Sequence, residues 1–102
     1  MKPICRYKEF NTADAKSSVL DNISETAPEF KETVIEYLKS FEPSSIAPAI
    51  AYDLISGEKL DITLYCSHDD LYYWRSDMIY YFEKYNLKLS DDFINYVLNK
   101  SI

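Results

Sequence analysis

The clearest alternation in the chain runs over residues 60–66. Leu60, Ile62, Leu64 and Cys66 share one face and Asp61, Thr63 and Tyr65 the other, the period of a half-buried strand. A polar turn, Ser67-His68-Asp69-Asp70, follows, and residues 71–74 return as the second arm of an antiparallel hairpin. Elsewhere the apolar positions recur at helical spacing. Ala15, Val19, Leu20 and Ile23 predict a helix over 12–24. Phe30, Val34, Ile35, Leu38 and Phe41 predict a second, opened by Thr26-Ala-Pro-Glu29 as a capping box with proline in the first turn, and broken by Pro43-Ser-Ser45. Met78, Tyr81, Phe82 and Tyr85 share a face of a third, with Ser76 as N-cap and Asn86 as a left-handed stop. Phe93, Ile94, Val97 and Leu98 mark the last helix, which Ser90 caps and Leu89 staples to Ile94.

Residues 46–55 fit two periods. Ile50, Tyr52 and Leu54 alternate as in a strand, whereas Ile46, Ile50 and Leu54 recur every fourth residue as in a helix. Pro48 suits a first helical turn and Gly57 a helix C′ position, which favours the helix. Residues 2–10 alternate weakly, as a short strand would. The resulting expectation is a mainly α (α+β) fold: four to five helices with one small antiparallel β-hairpin near residues 60–74, in a single domain over residues 1–102.

Composition narrows this further. A chain of 102 residues with 47% hydrophobic residues can bury roughly two-thirds of its unfolded surface without metals or disulfides. Its single glycine argues for few tight turns and so for helices. The first residues contain no apolar h-region, and no stretch approaches the ~18 apolar residues of a membrane span. A cytoplasmic protein with no membrane contact is expected, in which Cys5 and Cys66 stay reduced thiols. The net charge is −6, with the excess of acids lying between residues 11 and 70. Such a chain repels nucleic acid and attracts basic partners over a Debye length of roughly 8 Å.

Candidate chemistry is sparse. Asp69 and Asp70 beside His68 invite a metal or acid–base reading, but His68 is the only histidine and no second ligand cluster accompanies it. Aspartates in a turn bond the turn backbone themselves and need no metal. There is no Gly-x-Ser-x-Gly, and one glycine makes no phosphate-cradling loop. Trp74-Arg75 is suited to stacking on nucleobases, but so acidic a chain lacks the basic funnel that a single strand needs. No enzyme activity and no cofactor are expected.

Six of the ten tyrosines fall between Tyr65 and Tyr85. Phasing divides them: Tyr81, Phe82 and Tyr85 are assigned inward, leaving Tyr72, Trp74 and Tyr80 as candidates for contact. With the acids of the same region, the candidate partner-binding set is Asp53, Glu58, Asp61, Asp69, Asp70, Tyr72, Trp74 and Tyr80. Carboxylates would speed association with a basic protein and buried aromatics would set the lifetime of the complex. The acidic turn carries most weight in this set.

Over the second half of the chain, Tyr72-Tyr-Trp-Arg-Ser-Asp77, Tyr80-Tyr81, Glu83-Lys-Tyr-Asn86, Leu89, Phe93-Ile94 and Val97-Leu98 form a pattern similar to the C-terminal part of small bacterial proteins with an acidic hairpin turn. Such small acidic proteins resemble the immunity proteins encoded beside polymorphic and contact-dependent growth inhibition toxins. Two departures stand out: no glycine follows Asp69-Asp70, and Ser90 stands where proline is common. The resemblance implies a cytosolic protein that binds a cognate toxin domain, commonly a basic nuclease, and occludes its substrate cleft with carboxylates in place of phosphates. The alternative is a small cytosolic adaptor or regulatory protein that binds a basic cellular protein.

Overall fold

The computed structural model describes residues 2–5, 7–10, 17–47 and 50–100. Within them a mixed four-stranded sheet carries three α-helices. The strands are β1 (Lys2–Pro3), β2 (Ser45–Ala47), β3 (Leu64–His68) and β4 (Tyr72–Arg75), and the helices are α1 (Lys31–Lys39), α2 (Ser76–Tyr85) and α3 (Asp91–Lys100). The sheet order is β1-β4-β3-β2, with β1 parallel to β4 and the other pairs antiparallel. This α+β architecture replaces the expected set of four to five helices around one small hairpin.

The hairpin exists, but later in the chain and inside a larger sheet. Leu60 to Thr63 is not strand; pairing begins at Leu64, and Cys66, Ser67 and His68 stand opposite Arg75, Trp74 and Tyr73. The turn tightens to Asp69–Tyr72 without glycine, because Asp69 Oδ1 accepts the amides of Leu71 and Tyr72 at 2.8 and 2.7 Å. Those bonds satisfy amides that would otherwise be left over at the turn. At the other edge, β1 joins β4 through Lys2 N–H to Leu71 O and Ile4 N–H to Tyr73 O; of the alternation over residues 2–10, Lys2–Pro3 alone is strand among the described residues.

Among the described residues, two expected helices do not form. For residues 12–24, the portion up to residue 16 lies outside the described residues; from Ser17 the chain makes only a 3₁₀ turn, Val19–Asp21. Local polar side chains take the backbone groups a helix would use: Ser18 Oγ accepts the Leu20 amide and Asn22 Nδ2 donates to Ser18 O. For residues 46–55, the first part is β2, with Ile46 opposite Tyr65 and Ala47 opposite Leu64; Pro48 lies outside the described residues. From Ile50 the chain forms an irregular two-armed excursion. Gly57 (φ 77°) closes its tip instead of ending a helix.

The remaining helices hold with altered ends. α1 starts at Lys31, preceded by Phe30 with no side-chain cap, so Thr26 is not its capping residue; the Thr26 amide is taken by Ser24 Oγ instead. Ser76 begins α2 without capping it: its hydroxyl donates to Thr63 O and accepts from the Tyr65 amide, pinning the helix start to the chain entering β3. Asn86 ends α2 in the left-handed region (φ 55°), and Ser90 Oγ accepts the Phe93 amide at the start of α3. The core lies where α1 packs on α2 and α3. Phe93, fully buried, meets Tyr37, Tyr72 and Trp74 there.

Candidate functional site

Burial divides the eight expected contact residues. Tyr72 and Trp74 share one face of β4, as their spacing requires, but it is the inner face; Trp74 is 2% exposed and meets Phe41 edge-on and Tyr37 and Phe93 at tilted angles. Asp53 and Asp69 are buried as well. These four side chains are buried within the fold. Glu58, Asp61 and Asp70 are exposed, and Tyr80 is half-buried. The aromatic outer face of β4 belongs instead to Tyr73, which is exposed.

The α2 tyrosines serve a purpose that phasing alone did not reveal. Tyr80, Tyr81 and Tyr85 lie in mutual ring contact along the helix, and all three hydroxyls reach the excursion after Ile50. Tyr80 and Tyr85 donate to Asp53 Oδ2 at 2.5 and 2.7 Å. Tyr81 donates to Tyr52 O at 3.3 Å and accepts from the Leu54 amide at 3.0 Å. Lys84 lies over the rings of Tyr80 and Tyr85, with its amine 3.7 Å from Asp53 Oδ2.

Asp53 organises the excursion from within. Its Oδ1 accepts the amides of Ile55 and Ser56 at 2.7 and 2.9 Å. Its own amide donates to Glu58 O, its carbonyl accepts from Gly57, and Leu60 N–H returns to Ala51 O. The two arms, 50–54 and 58–60, thus form a short antiparallel pair bridged at Tyr52 and Lys59. Burial alone would raise the Asp53 carboxyl. Hydrogen bonds from Tyr80, the Ser56 amide, Tyr85 and the Ile55 amide outweigh it and hold the group well below the usual carboxylate range. Asp53 is therefore a buried, ionised carboxylate with its acceptor sites engaged.

Asp69 repeats the arrangement in the hairpin turn. One oxygen takes the two turn amides and the other accepts from Tyr37 at 2.5 Å. Burial again pushes upward, and the bonds from Tyr37 and the two amides win, so this carboxyl is also lowered. The matching effect on Tyr37 is upward, from burial first and then from the bond to Asp69. The acidic turn that promised contacts is therefore half structural: Asp69 builds it and Asp70 faces solvent.

Between the first arm and the sheet lies a groove of about 180 Å³, lined by Ile50, Tyr52, Leu54, Leu64, Phe10 and Tyr81. The ion pair of Arg75 and Asp77, 2.9 Å, sits in the same groove. A larger cavity, about 420 Å³, lies elsewhere, between the N-terminal segment and the start of α3. It supplies no thiolate nucleophile, because burial pushes the Cys5 thiol among its lining residues up to about 12. Among the described residues, no three His, Cys, Asp or Glu side chains are placed to hold a metal ion, and no helix is long and apolar enough to cross a membrane.

The clamp was partly foreseeable. Three tyrosines on two adjacent faces of one helix signal hydroxyls that need buried acceptors, but which carboxylate they meet depends on the path of residues 50–60. The geometry describes a segment, residues 50–60, held in a set shape by α2. No protein-family model, characterised protein or solved structure matches the chain.

Proposed function

We propose that this chain is an immunity protein: a non-enzymatic, cytoplasmic inhibitor that binds a cognate bacterial toxin domain, a basic nuclease, and neutralises it by covering its substrate cleft with an acidic surface. The observation that carries this reading is where the charge sits. Of the acids in residues 46–70, Glu58, Asp61 and Asp70 stay exposed, against the single cation Lys59 in that segment. These carboxylates suit a cleft built to receive phosphates, and their field speeds encounter with a basic protein. The resemblance of residues 72–98 to immunity proteins points the same way.

The test is co-expression with the product of the gene immediately upstream. Co-purification, a nanomolar Kd (roughly −12 kcal/mol) and protection of cells from that product are the expected results. Absence of both binding and protection overturns the reading. An upstream metabolic enzyme that binds the chain, with no toxicity of its own, assigns it instead to the adaptor class.

A further inference from the structure

The cavity of about 420 Å³ between the N-terminal segment and the start of α3 falls in the range of small-molecule sites, about 300–1,000 Å³. Its walls are bonded to their surroundings and to one another. The Ile4 amide donates to Tyr73 O, the Tyr7 hydroxyl to Lys88 O at 2.5 Å, and the Lys88 amide to Asn22 O. Stretches distant in sequence are thereby held around one space.

One side chain in it differs from the other tyrosines of the fold. Tyr72 is 8% exposed, its ring lies against Phe93 and Tyr96, and it lines the cavity. The hydroxyls of Tyr7, Tyr37, Tyr80, Tyr81 and Tyr85 all donate within the fold. That of Tyr72 bonds to none of the described residues; burial and the nearby Asp92 carboxylate act on it without a hydrogen bond. Buried phenols ordinarily find a partner. This one keeps a donor and an acceptor for whatever enters the cavity.

We propose that this cavity binds a small zwitterion, a free α-amino acid with an apolar side chain. The charges that line it select this class. Lys2 and Lys88 supply two ammonium groups, and the positive end of α3 lies at Ser90 and Asp92. Together they suit a carboxylate. The Asp92 carboxylate and the Tyr72 hydroxyl suit an ammonium group. A simple anion would meet Asp92 as a like charge, and a simple cation would meet two lysines. A zwitterion answers both signs, while Ile4 and Leu89, both buried, give its side chain an apolar floor. The inference goes beyond the function proposed above and is independent of it, because none of these residues belongs to the exposed acidic set Glu58, Asp61 and Asp70.

The test is titration of the isotope-labelled full chain with L-leucine and L-phenylalanine, read by amide chemical shifts. We expect saturable shifts at Ile4, Leu89 and Asp92 with a millimolar or tighter Kd. Isocaproate and isoamylamine, which are leucine without its amine and without its carboxyl, should bind about tenfold more weakly or worse. Tyr72→Phe keeps the ring and removes the hydroxyl, and should weaken leucine about fivefold at an unchanged thermal midpoint. Asp92→Asn, at an exposed position, should weaken it about tenfold and carries the test if the first variant unfolds. Absence of saturable shifts with either amino acid overturns the inference. Isocaproate binding as tightly as leucine also overturns it, by making the cavity an anion site. So does a leucine affinity that survives both substitutions.

Discussion

Tyr80 and Tyr85 deliver their hydroxyls to one and the same oxygen of Asp53, from successive turns of α2. Hydrogen bonds to an ionised acceptor are about twice as strong as neutral ones, so this convergence ties a segment without regular structure to the most regular part of the molecule.

Removing the acceptor strands its donors. Asp53→Ala leaves two tyrosine hydroxyls and the Ile55 and Ser56 amides without their shared partner, and we expect a loss of about 2–4 kcal/mol in urea denaturation. Tyr85→Phe removes one of these bonds from a partly exposed side chain and should cost less than the loss of Asp53. In the double variant the two losses should fall short of additive, since the tyrosine hydroxyl has nothing left to bond once Asp53 is gone. Strict additivity would show that the two groups do not interact.

Acid should release both clamps. The folded Asp53 and Asp69 carboxyls lie below their ordinary value: burial pushes each up, and the hydrogen bonds, led by Tyr80 and Tyr37 respectively, more than offset it. The unfolded chain therefore takes up these protons first. The stabilisation is fully present above about pH 4 and is lost as pH falls through the folded values. Asp77 acts in the opposite sense. Burial raises its carboxyl despite Arg75, so its contribution is full below about pH 4 and is lost as pH rises through its folded value. Urea midpoints measured from pH 7 down to pH 2 should fall steeply below about pH 4, and Asp53→Asn should flatten that acid limb. An equally steep limb in the variant would remove Asp53 from the account.

Asn86 combines two functions that one substitution separates. Its backbone takes the left-handed conformation, while Nδ2 donates to Ser24 O and Oδ1 accepts from the Lys31 amine. Asn86→Gly keeps the conformation and loses both bonds; Asn86→Ala loses the bonds and adds backbone strain. Thermal unfolding should rank the wild type above the glycine variant, and glycine above alanine by about 1 kcal/mol. Equal stability of the two variants would place the whole effect in the side chain.

The two aspartates of the hairpin turn should respond differently to charge reversal. Asp70 is exposed, so Asp70→Lys should leave the fold intact, slow association with a basic partner and flatten its salt dependence. Asp69→Lys removes the acceptor of two turn amides and of Tyr37, and it should unfold the hairpin. Stopped-flow association across a salt series, alongside circular dichroism, separates the two effects.

The parts of the fold that local pattern encodes were legible in the sequence. Ser90 at the head of α3, the Asn86 stop and the apolar faces of α1, α2 and α3 depend on neighbours within a turn or two. The misreadings share a cause, which is that long-range bonds decided between local options. Nothing near Ile50 says that Asp53 will be drawn inward by residues of a helix still to come, and the strand-like alternation of Ile50, Tyr52 and Leu54 lost to a helical reading for that reason. The alternation of Tyr72 and Trp74 was equally sound, but period alone does not say which face of a strand the helices will cover. Of the expected contact set, Glu58, Asp61 and Asp70 keep the exposure a partner needs. Asp53, the best-bonded member, is buried and fastens residues 50–60 to α2.

A loop fastened by its buried residue and its backbone makes no packing demand on the side chains that point away. Positions 50, 52 and 54 are therefore free to drift while the clamp beneath them stays fixed. Substitutions among these outward residues therefore leave the bonded scaffold beneath them in place.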